Sequence, residues 1–335
     1  MIEDLIKQLA EKKDLTDQQM QEVMRQILSG KIDTADIVTF LTSLNEKGHT
    51  VAEITSAVNV MLKYVEPIII DRPNILDTCG TGGDKKGTFN ISTITALVAS
   101  GAGVTVAKHG NRSVSSKCGS ADILEALGVN IGMDRTKIKK CLEEIGIAFL
   151  FAPNLHPAMR FVLPARKQIG QKTIFNILGP LINPARATNQ LIGAYSKEWA
   201  MPLAQVLRNL GSKHILVVYG ADGLDEITTC DKTYVVEVAQ GSLKDYEISP
   251  EDFGLKRAAP GDLAGGNVLE NMEIVREVLS GKSGPRRDIV LINSACAIYA
   301  ADKAKTIAEG LTLARESIDS GQALKKLQLL KEYSQ

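Results

Sequence analysis

Over roughly the first 66 residues, apolar positions recur at the three- and four-residue spacing of helices. Ile2, Leu5, Ile6 and Leu9 mark one stripe. Thr16 and Gln19 then have the form of a capping box, in which two side chains three residues apart satisfy each other's backbone N–H groups. Met20, Val23, Met24, Ile27 and Leu28 follow on one face, and Gly30 ends the pattern. Thr50 and Glu53 repeat the box ahead of Ile54, Val58, Met61, Leu62 and Val65. Four short helices are expected here. They cannot bury all their apolar faces alone, so another subunit or a later segment must cover them.

At Pro67 the pattern changes. Ile68, Ile69 and Ile70 run into Arg72-Pro73-Asn74, a turn signal, and short apolar runs then alternate with helical patterns. Strands are expected at 75–78, 103–107, 147–151, 214–219, 233–238 and 288–293, and helices at 90–100, 120–127, 135–145, 197–210, 268–280 and 303–319. This alternation predicts an α/β fold with a mostly parallel central sheet flanked by helices. Residues 157–182 break the rhythm; they read as helical and Pro-flanked, and are expected to return to the N-terminal unit. The expected division is a small all-helical domain at 1–70, completed by about 160–185, and a larger α/β domain at 71–335.

Composition narrows the function classes. The 335 residues carry 39 Lys+Arg against 39 Asp+Glu, so the electrostatic excess that a general nucleic-acid binder needs is missing. Five cysteines, at 79, 118, 141, 230 and 296, stand far apart without metal-ligand spacing. That excludes a zinc ribbon or disulfide framework and fits a reducing compartment. Met1-Ile2-Glu3-Asp4 lacks a basic leader, and no run of about 18 apolar residues exists. A cytoplasmic protein with no membrane association is expected.

Four segments carry candidate chemistry. Asp77-Thr78-Cys79-Gly80-Thr81-Gly82-Gly83-Asp84 follows an apolar strand and, past Thr88, leads into a helix beginning at Asn90-Ile91-Ser92-Thr93. Glycines let a backbone approach an anion closely, and a helix start offers N–H groups and the positive end of its dipole. The spacing matches neither a Walker A loop nor a dinucleotide fingerprint. A tight turn before a capped helix would have the same local sequence. Asp84 would repel phosphate unless it served a metal or a hydroxyl. Next, the stretch 108–120 includes Lys108, His109, Asn111, Arg112, Ser113, Ser115, Ser116, Lys117 and Ser120 at a strand end, where open α/β sheets bind ligands. Its cations and hydroxyls suit a phosphate ester, as they would a solvated loop. Third, Asp222-Gly223-Leu224-Asp225-Glu226 offers hard oxygen ligands fit for Mg²⁺, though Asp-Gly is also a common turn. Last come His156 and Arg166 in a Pro-flanked segment, and the tightly turned Asn176–Pro184, a hinge or pocket wall. A planar guanidinium can clamp a carboxylate; a lone arginine is more often a surface residue, and a lone histidine more often structural.

In this combination and order, these segments resemble the anthranilate phosphoribosyltransferases, a class III phosphoribosyltransferase family, across nearly the whole chain. Ala221 stands where the family often has His, and Cys118 and Asn267 also depart from its common residues. The resemblance implies a helical domain beside an α/β domain and a homodimer formed through the helical parts. It implies transfer of the phosphoribosyl group of phosphoribosyl pyrophosphate (PRPP) to anthranilate, dependent on Mg²⁺. By the same resemblance Gly80, Gly83, Asp84 and Thr88 line the pyrophosphate and ribose. Asn90, Ile91, Ser92 and Thr93 take phosphate oxygens, and Lys108, Asn111, Ser115, Ser116 and Ser120 hold the donor from the next loop. Ser92, Asp225 and Glu226 hold Mg²⁺. Arg166 engages the anthranilate carboxylate, Gly80 and Asn111 touch the acid, and His109, His156, Gly179 and Pro180 wall its pocket. No general base is assigned, His109 being the nearest candidate. Two other readings of the scaffold are a pyrimidine-nucleoside phosphorylase and a non-catalytic phosphometabolite-binding protein; the Asp225-Glu226 pair and Arg166 favour the transferase.

Overall fold

The computed structural model describes residues 2–113 and 117–335. Four helices open the chain: α1 (Ile2–Ala10), α2 (Asp17–Leu28), α3 (Thr34–Lys47) and α4 (Val51–Met61). The α/β part begins with β1 (Leu76–Thr78), α5 (Ile91–Gly101), β2 (Val106–Gly110), α6 (Ser120–Ala126), α7 (Arg135–Glu144) and β3 (Ile147–Phe151). The short helices α8 (Ala152–Leu155), α9 (Leu163–Ile169) and α10 (Ile174–Leu178) intervene. Then come β4 (Asn189–Gly193), α11 (Lys197–Asn209), β5 (His214–Gly220), β6 (Thr233–Ala239) and β7 (Ser242–Ile248). Four helices close the chain: α12 (Val268–Leu279), α13 (Pro285–Ala300), α14 (Ile307–Asp319) and α15 (Gln322–Tyr333).

Both capping boxes form. The Thr16 hydroxyl accepts from Gln19 N, and the Thr50 hydroxyl from Glu53 N, each at 3.2 Å. Glu53 does more than cap α4. Its buried carboxylate also accepts from Leu15 N at 2.9 Å and from Lys47 Nζ at 2.8 Å, which locks the α1–α2 link and the end of α3 to the start of α4.

Among the described residues, seven strands form one sheet in the order β3-β2-β1-β4-β5-β6-β7, parallel through β5 and antiparallel at β6 and β7. The mostly parallel α/β arrangement is as expected, with differences in detail, α15 among them. Residues 288–293 are helical, inside α13. Ile289, Val290, Leu291 and Ile292 are all buried, and a helix enclosed on every side shows the same unbroken apolar run as a buried strand. β4 was not signalled because Asn189 and Gln190 interrupt its apolar character; both are buried and hydrogen-bonded, Asn189 to Ala300 O and Gln190 to Pro180 O. β7 is an exposed, charged edge strand and lacks a buried face to betray it.

Alternate residues of the central strands enter two cores. Leu216 and Val218 belong to the core under α5, α13 and α14, whereas Ile215 and Val217 belong to a second core. That second core unites α2, α3 and α4 with Val162, Ala165, Phe175, Leu178 and the inner face of α11. A later segment of the same chain therefore covers these helical faces.

At the end of the sheet where β5 starts, Glu237 is buried and accepts from His214 Nε2 (3.2 Å), Tyr299 OH (2.8 Å) and Tyr246 OH (2.7 Å). His214 Nδ1 faces Asp302 at 2.7 Å. The loops considered next lie at the opposite end, where the parallel strands finish.

Candidate active site

β1 ends in Asp77 and Thr78, both buried. Asp77 Oδ1 accepts from His109 N at 3.0 Å and Oδ2 from Asn183 Nδ2 at 2.7 Å. Burial pushes its carboxyl up to about 6, against the pull of the nearby Lys108 charge. Lys108, also buried, donates to Thr78 O at 2.5 Å and to Ser92 Oγ at 3.3 Å. A cation is thus fixed between the end of β1 and the start of α5. Among the described residues, ligand atoms of Asp77, Cys79 and His109 approach within 4.8 Å of one another. Both Asp77 oxygens are already accepting hydrogen bonds, and burial raises the Cys79 thiol far above the range in which it ionises. This trio is a buried polar knot, poorly suited to a metal.

The glycine loop leans on the end of β4. Thr81 N donates to Gly193 O at 2.9 Å, and Tyr195 N donates to Thr81 Oγ1 at 3.0 Å. Gly82 (φ 67°) and Gly83 (φ 82°) adopt left-handed backbone that a side chain would strain. Beneath them lies Asp225. A Cβ on Gly80 would come within 3.1 Å of Asp225 Oδ2, and one on Gly193 within 1.6 Å of Asp225 O. The absence of both side chains admits the acidic turn.

Asp225 reaches the glycine loop and Glu226 the start of α5, whereas Asp222 caps its own turn, accepting from Thr228 Oγ1 at 2.7 Å and Leu224 N at 3.2 Å. Burial, and then the Asp84 carboxylate alongside, push Asp225 up to about 7 even though Gly82 N donates to it. Burial, and then Asp225, push Glu226 up to about 8, while Ser92 N donates to it. Among the described residues Asp84 Oδ2 is buried with no partner other than the Asp225 carboxyl beside it. Asp225 and Glu226, half-buried with Asp84 alongside, offer hard oxygen donors of the kind that Mg²⁺ takes.

The start of α5 offers fewer free donors than its position in sequence implies. Ile91 N donates to Phe89 O, Thr93 N to Asn90 O, and Ser92 N to Glu226. The Thr93 side chain is buried beside Lys108, Ala96, Leu124 and Phe149, facing the core. Asn90 Nδ2 holds Cys118 O at 3.1 Å, and among the described residues its buried Oδ1 has no partner. Thr88 pairs with Ala264, a scaffold contact absent from the motif reading.

In the second loop, Asn111 O accepts from Ser120 Oγ at 3.2 Å, and Asn111 itself is exposed. Asp122 accepts from both Ser113 N and Gly119 N, and Arg112 is paired with Asp122 and Glu125 rather than directed at a ligand. Ser115 and Ser116 lie outside the described residues.

His109 and His156 meet with their Nε2 atoms 3.1 Å apart, and the Gly179 carbonyl contacts His109. Burial lowers His109 to about 3 and His156 to about 4, so both rings are neutral and His109 is a weak base. Pro180 O is bonded to Gln190, which fixes this wall to β4. Arg166, on α9, is half-buried, and burial lowers its pKa. Among the described residues its guanidinium has no hydrogen bond or ion pair with any acid. Sequence reasoning missed Thr81, Asn183 and Lys172. Lys172 Nζ reaches Gly83 O at 3.2 Å across 89 residues of chain, and no local pattern announces such a contact.

Two family models divide the chain: the helical bundle domain of a glycosyl transferase family matches residues 3–65, and the α/β domain of such a family matches 72–324. An anthranilate phosphoribosyltransferase of Symbiobacterium thermophilum is 49% identical over 330 residues, covering 98% of this chain and 97% of that protein. That of Methanobrevibacter smithii is 49% identical over 334 residues, covering 100% and 99%. Among solved structures, the Thermus thermophilus anthranilate phosphoribosyltransferase superposes with a TM-score of 0.93 at 41% identity, covering 99% of each chain. The Saccharomyces cerevisiae enzyme in complex with PRPP and Mg superposes with a TM-score of 0.91 at 32% identity, covering 99% of this chain and 97% of that one. With relatives this similar over its full described length, the chain belongs to the anthranilate phosphoribosyltransferase family.

Proposed function

We propose that this protein transfers the phosphoribosyl group of PRPP to the amine of anthranilate, giving N-(5-phosphoribosyl)anthranilate and pyrophosphate, in tryptophan biosynthesis. The observation that carries the reading is the coexistence of a carboxylate cluster and, among the described residues, an arginine with no acidic partner. Asp225 and Glu226 lie against Asp84 of the glycine loop, and burial and neighbouring carboxylates raise the pKa of both. Among the described residues, Arg166 is half-buried without an acidic partner. The cluster calls for a divalent cation, the arginine for a carboxylate.

Asp225 and Glu226, with Asp84 and Ser92 beside them, are the residues that would hold Mg²⁺, which when bound neutralises the pyrophosphate and the charge that grows on it as it leaves. Lys108 keeps a second positive charge at the floor of the site, steadied by Thr78 O and Ser92 Oγ. The loop residues Gly80 to Asp84, with Thr88 and Asn90, flank the donor, and Asn111 and Ser120 face it from the next strand end. Arg166 orients the acceptor by its carboxylate. In the reaction the bond from C1 of the ribose to the pyrophosphate oxygen breaks, and its electron pair departs with pyrophosphate. The nitrogen lone pair of anthranilate forms the new C1–N bond, and the amine proton is then released. An aromatic amine is neutral near pH 7, and the ammonium formed on attack is a strong acid, so the neutral His109–His156 pair suffices as a wall. Orientation supplies much of the acceleration, on the order of 7–11 kcal/mol for well-aligned reactants.

The division into a helical unit at 1–70, supplemented by about 160–185, and an α/β unit at 71–335 belongs to the same proposal, as do homodimerisation through the helical part and a cytoplasmic location. No helix among the described residues is long and apolar enough to cross a membrane. The test is consumption of anthranilate, followed by its fluorescence, with PRPP and Mg²⁺. Asp225→Asn and Glu226→Gln should each raise the Mg²⁺ concentration needed for half-maximal rate. Release of thymine from thymidine and phosphate, with anthranilate untouched, would instead support the nucleoside phosphorylase reading.

A further inference from the structure

Lys172 lies in the short link between α9 and α10, and three contacts converge on it. Its carbonyl accepts from Asn45 Nδ2 at 2.7 Å, which ties the link to α3. Its ammonium donates to Gly83 O at 3.2 Å. The same ammonium sits 3.4 Å from the centroid of the Tyr195 ring, a cation–π contact. Tyr195 is the residue whose N–H holds Thr81. The glycine loop is therefore gripped twice. The end of β4 holds Thr81 on one side, and a lysine tethered to the helical unit holds Gly83 on the other.

Charge and shape agree with this. Asp225 and Asp84 attract the ammonium, Lys85 opposes it, and partial burial lowers its pKa. A Cβ on Gly83 would come within 3.1 Å of Lys172 Cε and 3.2 Å of Nζ, so the bare glycine is what lets the lysine approach. In a planar trans peptide the C=O and the following N–H point to opposite sides. Holding Gly83 C=O toward Lys172 turns the N–H of Asp84 away from it.

We propose that Lys172 is a positioning residue for the phosphoribosyl donor: from the helical side of the molecule it clasps the Gly83 carbonyl and fixes the Gly83–Asp84 peptide beside the acidic cluster. The inference rests on the reading of the glycine loop as the donor site. It assigns Lys172 no contact with anthranilate, and so its effect is confined to PRPP.

The experiment is steady-state kinetics of the full chain with each substrate varied, on Lys172→Met, Lys172→Arg and Asn45→Ala, with thermal melts and calorimetric titration of Mg²⁺–PRPP. Loss of a hydrogen bond from a charged donor should raise the KM for PRPP roughly ten-fold in Lys172→Met. The KM for anthranilate should stay within about two-fold. Lys172→Arg, which keeps the charge and the reach, should restore most of the loss. Asn45→Ala should move the KM for PRPP in the same direction, and it carries the test should Lys172→Met fail to fold. An unchanged KM for PRPP in the folded variants overturns the clasp. So does an equal shift for both substrates that Arg does not rescue, since that marks a general lesion. Unsubstituted enzyme is the control: if it does not join PRPP to anthranilate, the assigned function fails, whereas an active parent with an indistinguishable Lys172→Met sinks the clasp alone.

Discussion

Arg166 offers the sharpest test of substrate recognition, because its partner can be removed from either side. The guanidinium is half-buried and unpaired among the described residues. A two-pronged, charge-assisted hydrogen bond to a carboxylate in such a setting is worth about 2–3 kcal/mol net. Arg166→Ala should therefore lower kcat/KM for anthranilate by roughly 30- to 150-fold. The KM for PRPP should hardly move. Aniline has the amine without the carboxylate, so the parent should use it poorly and Arg166→Ala should use it no worse. The four rate constants form a double-mutant cycle with one change on the protein and one on the substrate. Arg166→Lys retains charge without the planar fork and should fall between. Stability is expected to respond in the opposite sense. The unpaired charge pays for its own desolvation, so its removal should leave the melting temperature unchanged or raise it. Fluorescence follows anthranilate, and chromatography follows the aniline product. If Arg166→Ala lowers the rate with aniline by the same factor as with anthranilate, the coupling is zero and the clamp is refuted.

Two further outcomes are expected. Burial opposes ionisation of Glu237, but hydrogen bonds from His214, Tyr246 and Tyr299 prevail and hold it at about 2, against an ordinary 4.5. That stability is present above about pH 4.5 and is lost as pH falls toward 2. His214 is raised above 6.5: burial lowers it, but Glu237 and Asp302 outweigh that, so its contribution is full below 6.5 and is lost as pH rises through the folded value. Glu237→Gln should thus cost about 3 kcal/mol at pH 5.5 and flatten the acid limb of a urea-midpoint profile; a parental midpoint at that pH would contradict this. Gly193→Ala places a methyl carbon 1.6 Å from Asp225 O and must displace that backbone. A shift on that scale should cost on the order of 100-fold in kcat/KM for PRPP, and near-parental kinetics would show that the acidic turn tolerates displacement.

What the sequence disclosed follows the reach of each signal. Thr16 with Gln19 and Thr50 with Glu53 are complete within four residues, so their capping boxes could be read directly. The glycine loop announced itself because left-handed backbone at Gly82 and Gly83 selects glycine locally. Ile289 to Ile292 misled because burial on all sides erases periodicity. Asn189 and Gln190 hid β4 because their polar atoms are satisfied by Ala300 O and Pro180 O, partners that no local window contains. Within the site, donors at the start of α5 looked available from sequence, and the structure shows Ile91, Ser92 and Thr93 already committed. Lys172 stayed invisible for the same reason as Asn183: each acts on residues some ninety or more positions earlier in the chain.

The alternation along β5 has a consequence for how the molecule can be divided. The matched family models leave residues 66–71 between them, and it is tempting to cut there. Yet Ile215 and Val217 share one apolar interior with Met24, Leu41 and Val58. Excising the first 65 residues would lay open a greasy floor on the remainder, and the excised piece would lose the surface it leans on. The boundary is a feature of the text of the sequence; in three dimensions the two portions are masonry on one shared wall, inseparable by a single snip.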